Sequence, residues 1–246
     1  MELSQSFGTA ATAYAEHRPD YARAAVRWAL EPAPGPRVLD LGAGTGKLTA
    51  TLVTLGTEVV AVEPDPAMLA ELRRGLPAVR ALPGKAERIP LPDGSVDAVV
   101  AGNAMHWFDM AVAGPEIIRV LAPGGVLAGL WNIMDDRVGW VAELERVGGS
   151  AVIGTRDTLR NWRTETAGMA VGFAAPEQAT FAHGHRRTAA SLVATLGTRA
   201  GMLVKPEAER ESIVDRIREF LDGTPETAEG EFTLPMLTGV LRGRRP

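Results

Sequence analysis

The chain contains no cysteine. Disulfides, thiolate metal ligands and a cysteine nucleophile are therefore excluded, and the absence is in keeping with a cytoplasmic protein. Lysine is nearly absent too: of 26 basic residues only Lys47, Lys85 and Lys205 are not arginine. Neither sign of charge dominates, since 26 basic side chains face 30 acidic ones for a net charge of −4. Such a chain, whose one basic cluster is Arg242, Arg244 and Arg245, makes no electrostatic case for a nucleic-acid or membrane-surface partner. No apolar run reaches the roughly 18 residues of a membrane span. Residues Met1 to Pro19 lack the basic-then-apolar order of a secretory leader. What is present, 46% hydrophobic and 23% charged residues in a chain of 246, suffices for a sizeable core and excludes whole-chain disorder.

The first half alternates short apolar runs with helical patterns. Strands are expected at Arg37 to Leu41, Glu58 to Val62, Ala78 to Leu82, Val96 to Ala101 and Val126 to Trp131. Helices are expected after Gly46 to about Leu55, at Pro66 to Arg74 and at Met110 to Leu121, with a turn at Pro123-Gly124-Gly125. That alternation implies βαβ units and a mostly parallel sheet covered on both faces, a doubly wound α/β fold. Two helices precede the first strand. Later, helices are expected at Arg137 to Gly148, Ala189 to Gly197 and Pro206 to Leu221, with strands at Gln178 to Arg186 and Glu231 to Val240. Ser150 to Ala175 reads as irregular. No flexible linker separates these parts, so residues 1–246 form one domain. Its parts are a helical cap (1–36), a cofactor-binding core (37–132), a substrate-cover insertion (133–177) and C-terminal strands and helices (178–246).

The strongest motif is Val38-Leu39-Asp40-Leu41-Gly42-Ala43-Gly44-Thr45-Gly46. A glycine loop between strand and helix brings backbone N–H groups close to a ligand. Glu63 ends the second strand, 21 residues after Gly42 (63 − 42), where a carboxylate accepts hydrogen bonds from ribose hydroxyls. Loop and acid together indicate a nucleoside-containing cofactor. A dinucleotide is disfavoured, because Lys47 stands where its third glycine belongs and Asp40 would repel a pyrophosphate. The same Asp40 suits a cofactor with an ammonium group and no phosphate, which describes S-adenosylmethionine.

On these residues the sequence resembles the class I S-adenosylmethionine-dependent methyltransferases. The resemblance extends through Val60-Ala61-Val62-Glu63-Pro64-Asp65-Pro66-Ala67-Met68-Leu69, Gly84 to Asp97 and Arg119-Val120-Leu121-Ala122-Pro123-Gly124-Gly125. It implies a Rossmann-like seven-stranded sheet of order 3-2-1-4-5-7-6, last strand antiparallel, under a helical cover. It also implies cofactor contacts from Gly42, Ala43 and Gly44, ribose and adenine contacts from Glu63, Pro64 and Met68, and an adenine edge at Ala86 and Glu87. Phe7 to Tyr21, Asn103 to Phe108 and Phe232-Thr233-Leu234-Pro235 are similar to a small-molecule subgroup that includes trans-aconitate and farnesoic-acid carboxyl methyltransferases. There the N-terminal helices fold over the cofactor, which makes Tyr14 and Arg18 further cofactor candidates, and Asn103, after the fourth strand, is another. Lys85, Met236 and Ala22 depart from that subgroup's pattern.

The function implied is methyl transfer from S-adenosylmethionine to a small molecule, with oxygen as the expected acceptor and S-adenosylhomocysteine as the product. The alternative is a non-methylating member, either a cyclase-type catalyst or a regulatory partner subunit. His106, just past the fourth strand, is the candidate general base; it otherwise lines the methionine arm without titrating. Tyr21, Trp107 and Trp131 are candidate substrate contacts, with core packing the competing role for both tryptophans. Arg18 pairs either with the cofactor carboxylate or in a surface salt bridge. His183 and His185 share one strand face but lack a third ligand, and Asp135-Asp136 reads as solvated, so no metal is expected. The expected partner is the small-molecule substrate alone, and the expected state is a monomer or homodimer.

Overall fold

The computed structural model describes residues 19–149, 172–197 and 200–246. Five parallel strands form at the apolar runs, buried nearly throughout in β1 and β4: β1 (Arg37–Leu41), β2 (Glu58–Glu63), β3 (Arg80–Pro83), β4 (Val96–Gly102) and β5 (Leu121–Met134). Two long strands complete the sheet: β6 (Glu177–Thr188) and β7 (Glu231–Arg244). Their order is β3-β2-β1-β4-β5-β7-β6, with β7 antiparallel to both of its neighbours. This is the doubly wound arrangement expected from the sequence.

Helices α1 (Arg23–Leu30) and α2 (Lys47–Thr54) cover one face, burying Ala25, Val26, Ala29, Leu48 and Leu52 against Val38, Val100 and Val240. Helix α3 (Pro66–Gly75) begins sharply because Asp65 caps it, accepting from Ala67 N at 2.8 Å and Met68 N at 3.0 Å, with Pro66 in the first turn. Helix α4 (Met110–Val120) is capped likewise by Asp109 and packs Ala113, Ile117 and Val120 on the opposite face. Helices α5 (Gly139–Gly148), α6 (Ala189–Gly197), α7 (Ala200–Leu203) and α8 (Glu207–Gly223) follow. The charged α8 keeps an apolar stripe of Ile213, Ile217 and Leu221. With Val141, Leu144 and Leu192 it builds a second core over the part of β7 that runs past the end of β5.

Several boundaries differ from the sequence expectation. β5 runs to Met134, so Trp131 lies inside the strand rather than at its end. Pro123-Gly124-Gly125 is an excursion within β5, where pairing with β4 jumps from Val96↔Leu121 to Ala98↔Val126. β6 and β7 are both longer than expected, because each supplies the other's hydrogen bonds over twelve residue pairs where hydrophobic alternation is weak. The basic cluster is not a loose tail. Arg242 in β7 stacks over Trp28 at 3.8 Å and pairs with Glu31 and Glu177. The first of the two expected N-terminal helices, Tyr14, Arg18 and residues 150–171 of the expected insertion lie outside the described residues.

Candidate active site

The chain leaves β1 toward β2 on one side and reaches β4 on the other side only after β3. The crevice beyond the carboxyl ends of β1 and β4 is therefore the topological switch point, where open α/β sheets hold ligands. Pairing between these strands stops at Asp40↔Val100, and the chains part there. Gly42, Gly44 and Gly46 then all take positive φ. At Gly42 (φ 70°) a β-carbon would also lie 2.8 Å from the Ala104 side chain, so neither backbone nor space admits a larger residue.

The loop is stitched to the end of β2. Gly42 N and Ala43 N both donate to Val62 O, at 2.8 and 3.1 Å. Glu63 is 5% exposed; its Oε2 accepts from Gly44 N and its Oε1 from Asp65 N, each at 2.8 Å. Burial pushes its carboxyl up from the usual range, and the two backbone donors oppose that shift. Two backbone bonds leave lone pairs free on both oxygens for ribose hydroxyls. Asp40 is fully buried in β1. Its Oδ2 accepts from Thr49 Oγ1 at 2.6 Å, while Oδ1 has no hydrogen-bond partner. Burial, opposed by the Thr49 bond and reinforced by Glu63, pushes this carboxyl up to about 7. An orphaned buried acceptor beneath a glycine loop fits a cationic group and does not fit a phosphate.

Around this centre Met68 is buried beside Gly44, and Pro64 is exposed at the rim. Ala86 is buried. Glu87 accepts from Asp109 N at 3.0 Å, which ties the adenine-edge loop to the start of α4. Asn103 is the one described non-glycine residue at positive φ (50°). Its N–H donates to Leu130 O at 2.8 Å and its Oδ1 accepts from Asn132 N at 3.2 Å. His106 and Trp107 occupy a single 3-10 turn (Met105–Trp107) past β4, both exposed, with ring centroids 4.8 Å apart.

Residues 39–129 match the model of the methyltransferase domain family. An uncharacterized methyltransferase of Mycobacterium tuberculosis is 42% identical over 98% of this chain and 96% of its own length. The chain belongs to the class I S-adenosylmethionine-dependent methyltransferases. A demethylmenaquinone methyltransferase of Beutenbergia cavernae is 44% identical over 40% of this chain and 42% of its own length. The solved structure of a proposed type II methyltransferase from Anaeromyxobacter dehalogenans shares the fold, with a TM-score of 0.62, 27% identity and coverage of 92% and 97% of the two chains.

In this methyltransferase the residues expected to hold the cofactor do converge: Asp40, Gly42, Ala43, Gly44, Glu63, Met68 and Asn103 all lie at the β1/β4 crevice or the end of β2. Tyr21 and Trp131 are placed differently from His106 and Trp107. Tyr21 is 7% exposed, its hydroxyl 2.5 Å from the point a β-carbon on Gly102 would occupy. Trp131 is 3% exposed and lies over Gly129 within the core beneath α4. Sequence reasoning missed a polar junction behind the crevice. Thr238 Oγ1 donates to Asn132 Oδ1 at 2.6 Å, accepts from Ala22 N at 3.1 Å and lies 3.1 Å from His183 Nε2. Asn132 Nδ2 donates to Pro19 O and Asp20 O, at 3.3 and 3.1 Å. The junction joins β5, β6, β7 and the approach to α1, and no local pattern announces it. Among the described residues no three potential metal ligands gather, and no helix is long and apolar enough to cross a membrane.

Proposed function

We propose that this methyltransferase methylates an oxygen, carboxylate or hydroxyl, of a small molecule, without metal, nucleic acid or membrane. The observation that carries the cofactor half is Glu63, buried and held by Gly44 N–H and Asp65 N–H at the end of β2. Bound in the crevice, S-adenosylmethionine supplies an electrophilic methyl group on a positively charged sulfur. Glu63 would take the ribose hydroxyls, Asp40 the ammonium group, and Glu87 with Ala86 the adenine edge.

Methyl transfer to oxygen is an in-line displacement, so the chain must fix the acceptor oxygen behind the methyl carbon. Such orientation supplies on the order of 7–11 kcal/mol in favourable cases. A carboxylate acceptor arrives ionised and needs only placement. A hydroxyl acceptor needs its proton removed, and His106 at the mouth of the crevice is the group assigned that task. The oxygen acceptor rests on the similarity of Phe7 to Tyr21 and Asn103 to Phe108 to the carboxyl-methylating subgroup.

Calorimetric titration with S-adenosylmethionine and S-adenosylhomocysteine tests the first half, with Glu63→Ala as the control. Mass detection of S-adenosylhomocysteine formed with a panel of small acids and phenols tests the second. Failure of both nucleosides to bind would remove the methyltransferase activity; turnover only with amine acceptors would remove the oxygen assignment.

A further inference from the structure

β6 presents His183, His185 and Arg187 on one face, the face shared by their β7 partners Met236, Leu234 and Phe232. His183↔Met236 is level with the last residue of β5, because Met236 also pairs with Met134. His185 and Arg187 therefore stand beyond the carboxyl end of β5, on the ligand side of the sheet. Arg187 is 5% exposed. Its Nε is buried with no hydrogen-bond partner, and among the described residues no carboxylate offsets the effect of burial on the guanidinium. The adjacent Arg186 shows the contrast: it faces outward and takes Glu231, the acid nearest along β7. His185 Nε2 is also buried without a partner. The charges that act on this imidazole are Arg187, Lys47 and His183, opposed by Asp20.

An arginine is always cationic, and holding its Nε–H out of water without an acceptor is unfavourable. A fold that tolerates this cost without a partner of its own has a place prepared for an incoming anion. The position favours the acceptor over the cofactor. β6 is the outermost strand, four places from β1, while Glu63 ends β2 on the far side of β1. We propose that Arg187, with the Nε2 of His185 beside it, binds a carboxylate carried by the acceptor molecule. The planar guanidinium fork matches a carboxylate with two parallel N–H···O bonds. This inference rests on the methyltransferase reading and narrows its acceptors to organic acids. It concerns a binding group, which is either the methylated carboxylate itself or a second one that orients the molecule.

The experiment uses the full chain saturated with S-adenosylhomocysteine, and that complex must form first; its absence would fail the methyltransferase reading and not this one. Citrate, succinate, benzoate and inorganic phosphate are then titrated by calorimetry into the parent chain, Arg187→Gln and Arg187→Met. At least one carboxylate is expected to bind the parent, with affinity lowered about tenfold or more in both variants and S-adenosylhomocysteine affinity unchanged. The variants are expected to melt no lower than the parent, since they remove an unpaired buried charge. No carboxylate binding, equal binding in the variants, or binding of phosphate alone would each overturn the assignment. So would a loss of S-adenosylhomocysteine affinity, which would give Arg187 to the cofactor, or a lowered melting temperature in both variants, which would make it structural.

Discussion

Asp40 is fully buried, hydrogen-bonded on one oxygen only, and raised to about 7 in the folded chain from an ordinary 3.8. The folded state therefore holds a proton on this group across a window where the unfolded chain has lost it. Stability falls as pH rises from the ordinary value through about 7, and is level above that. Between about pH 5 and pH 8 roughly two pH units of that window are crossed, an expected loss on the order of 3 kcal/mol. Asp40→Asn keeps an oxygen for the Thr49 hydroxyl and cannot ionise. Its new amide lacks a partner, a cost of about 1–3 kcal/mol, but one that is the same at both pH values. Urea unfolding of parent and variant, without cofactor, isolates the difference. The variant should gain about 3 kcal/mol relative to the parent on going from about pH 5 to pH 8. At the higher pH it should also bind S-adenosylmethionine about tenfold or more weakly, because an amide does not balance the ammonium. A stability difference that stays constant with pH, or undiminished cofactor affinity in a folded variant, would refute the reasoning.

Three further outcomes follow from the geometry. Glu63→Ala removes the ribose acceptor and frees Gly44 N–H and Asp65 N–H; cofactor affinity should fall about tenfold or more by calorimetry, and retained affinity would separate Glu63 from the site. His106→Ala should lower kcat about 100-fold or more with a hydroxyl acceptor while S-adenosylhomocysteine affinity holds, because this exposed side chain is assigned to the acceptor and not to the cofactor; unchanged kcat would remove it from the mechanism. Gly129→Ala places a β-carbon into the Trp131 ring, which is packed against Met105; a loss of about 1–3 kcal/mol in urea unfolding is expected, and an unchanged midpoint would contradict the packing.

The cofactor half of the site was legible in the sequence because its parts are local in the chain. Asp40 to Gly46 is one strand end, one turn and one helix start. Glu63 follows at the end of the next strand, and Asp65-Pro66 carries its own capping signal. Strand order is also implied by the family resemblance, and the sheet follows it. The acceptor half was not legible in this way. Trp131 and Trp107 look alike in the sequence as substrate contacts or core residues, yet Trp131 is buried within β5 and Trp107 is exposed past β4. Thr238 meets Asn132 only because antiparallel pairing brings residues over a hundred positions apart into register, and meets Ala22 only because the start of α1 lies against β7. His183 and His185 were visible as an alternating pair, but their value depends on which face of β6 turns inward and on Arg187 having no acid opposite it. Sequence alone thus determined the segments whose hydrogen bonds close within a few residues. Pairing register, helix cover and the burial of charge are sums over distant contacts, and only the tertiary structure decided them.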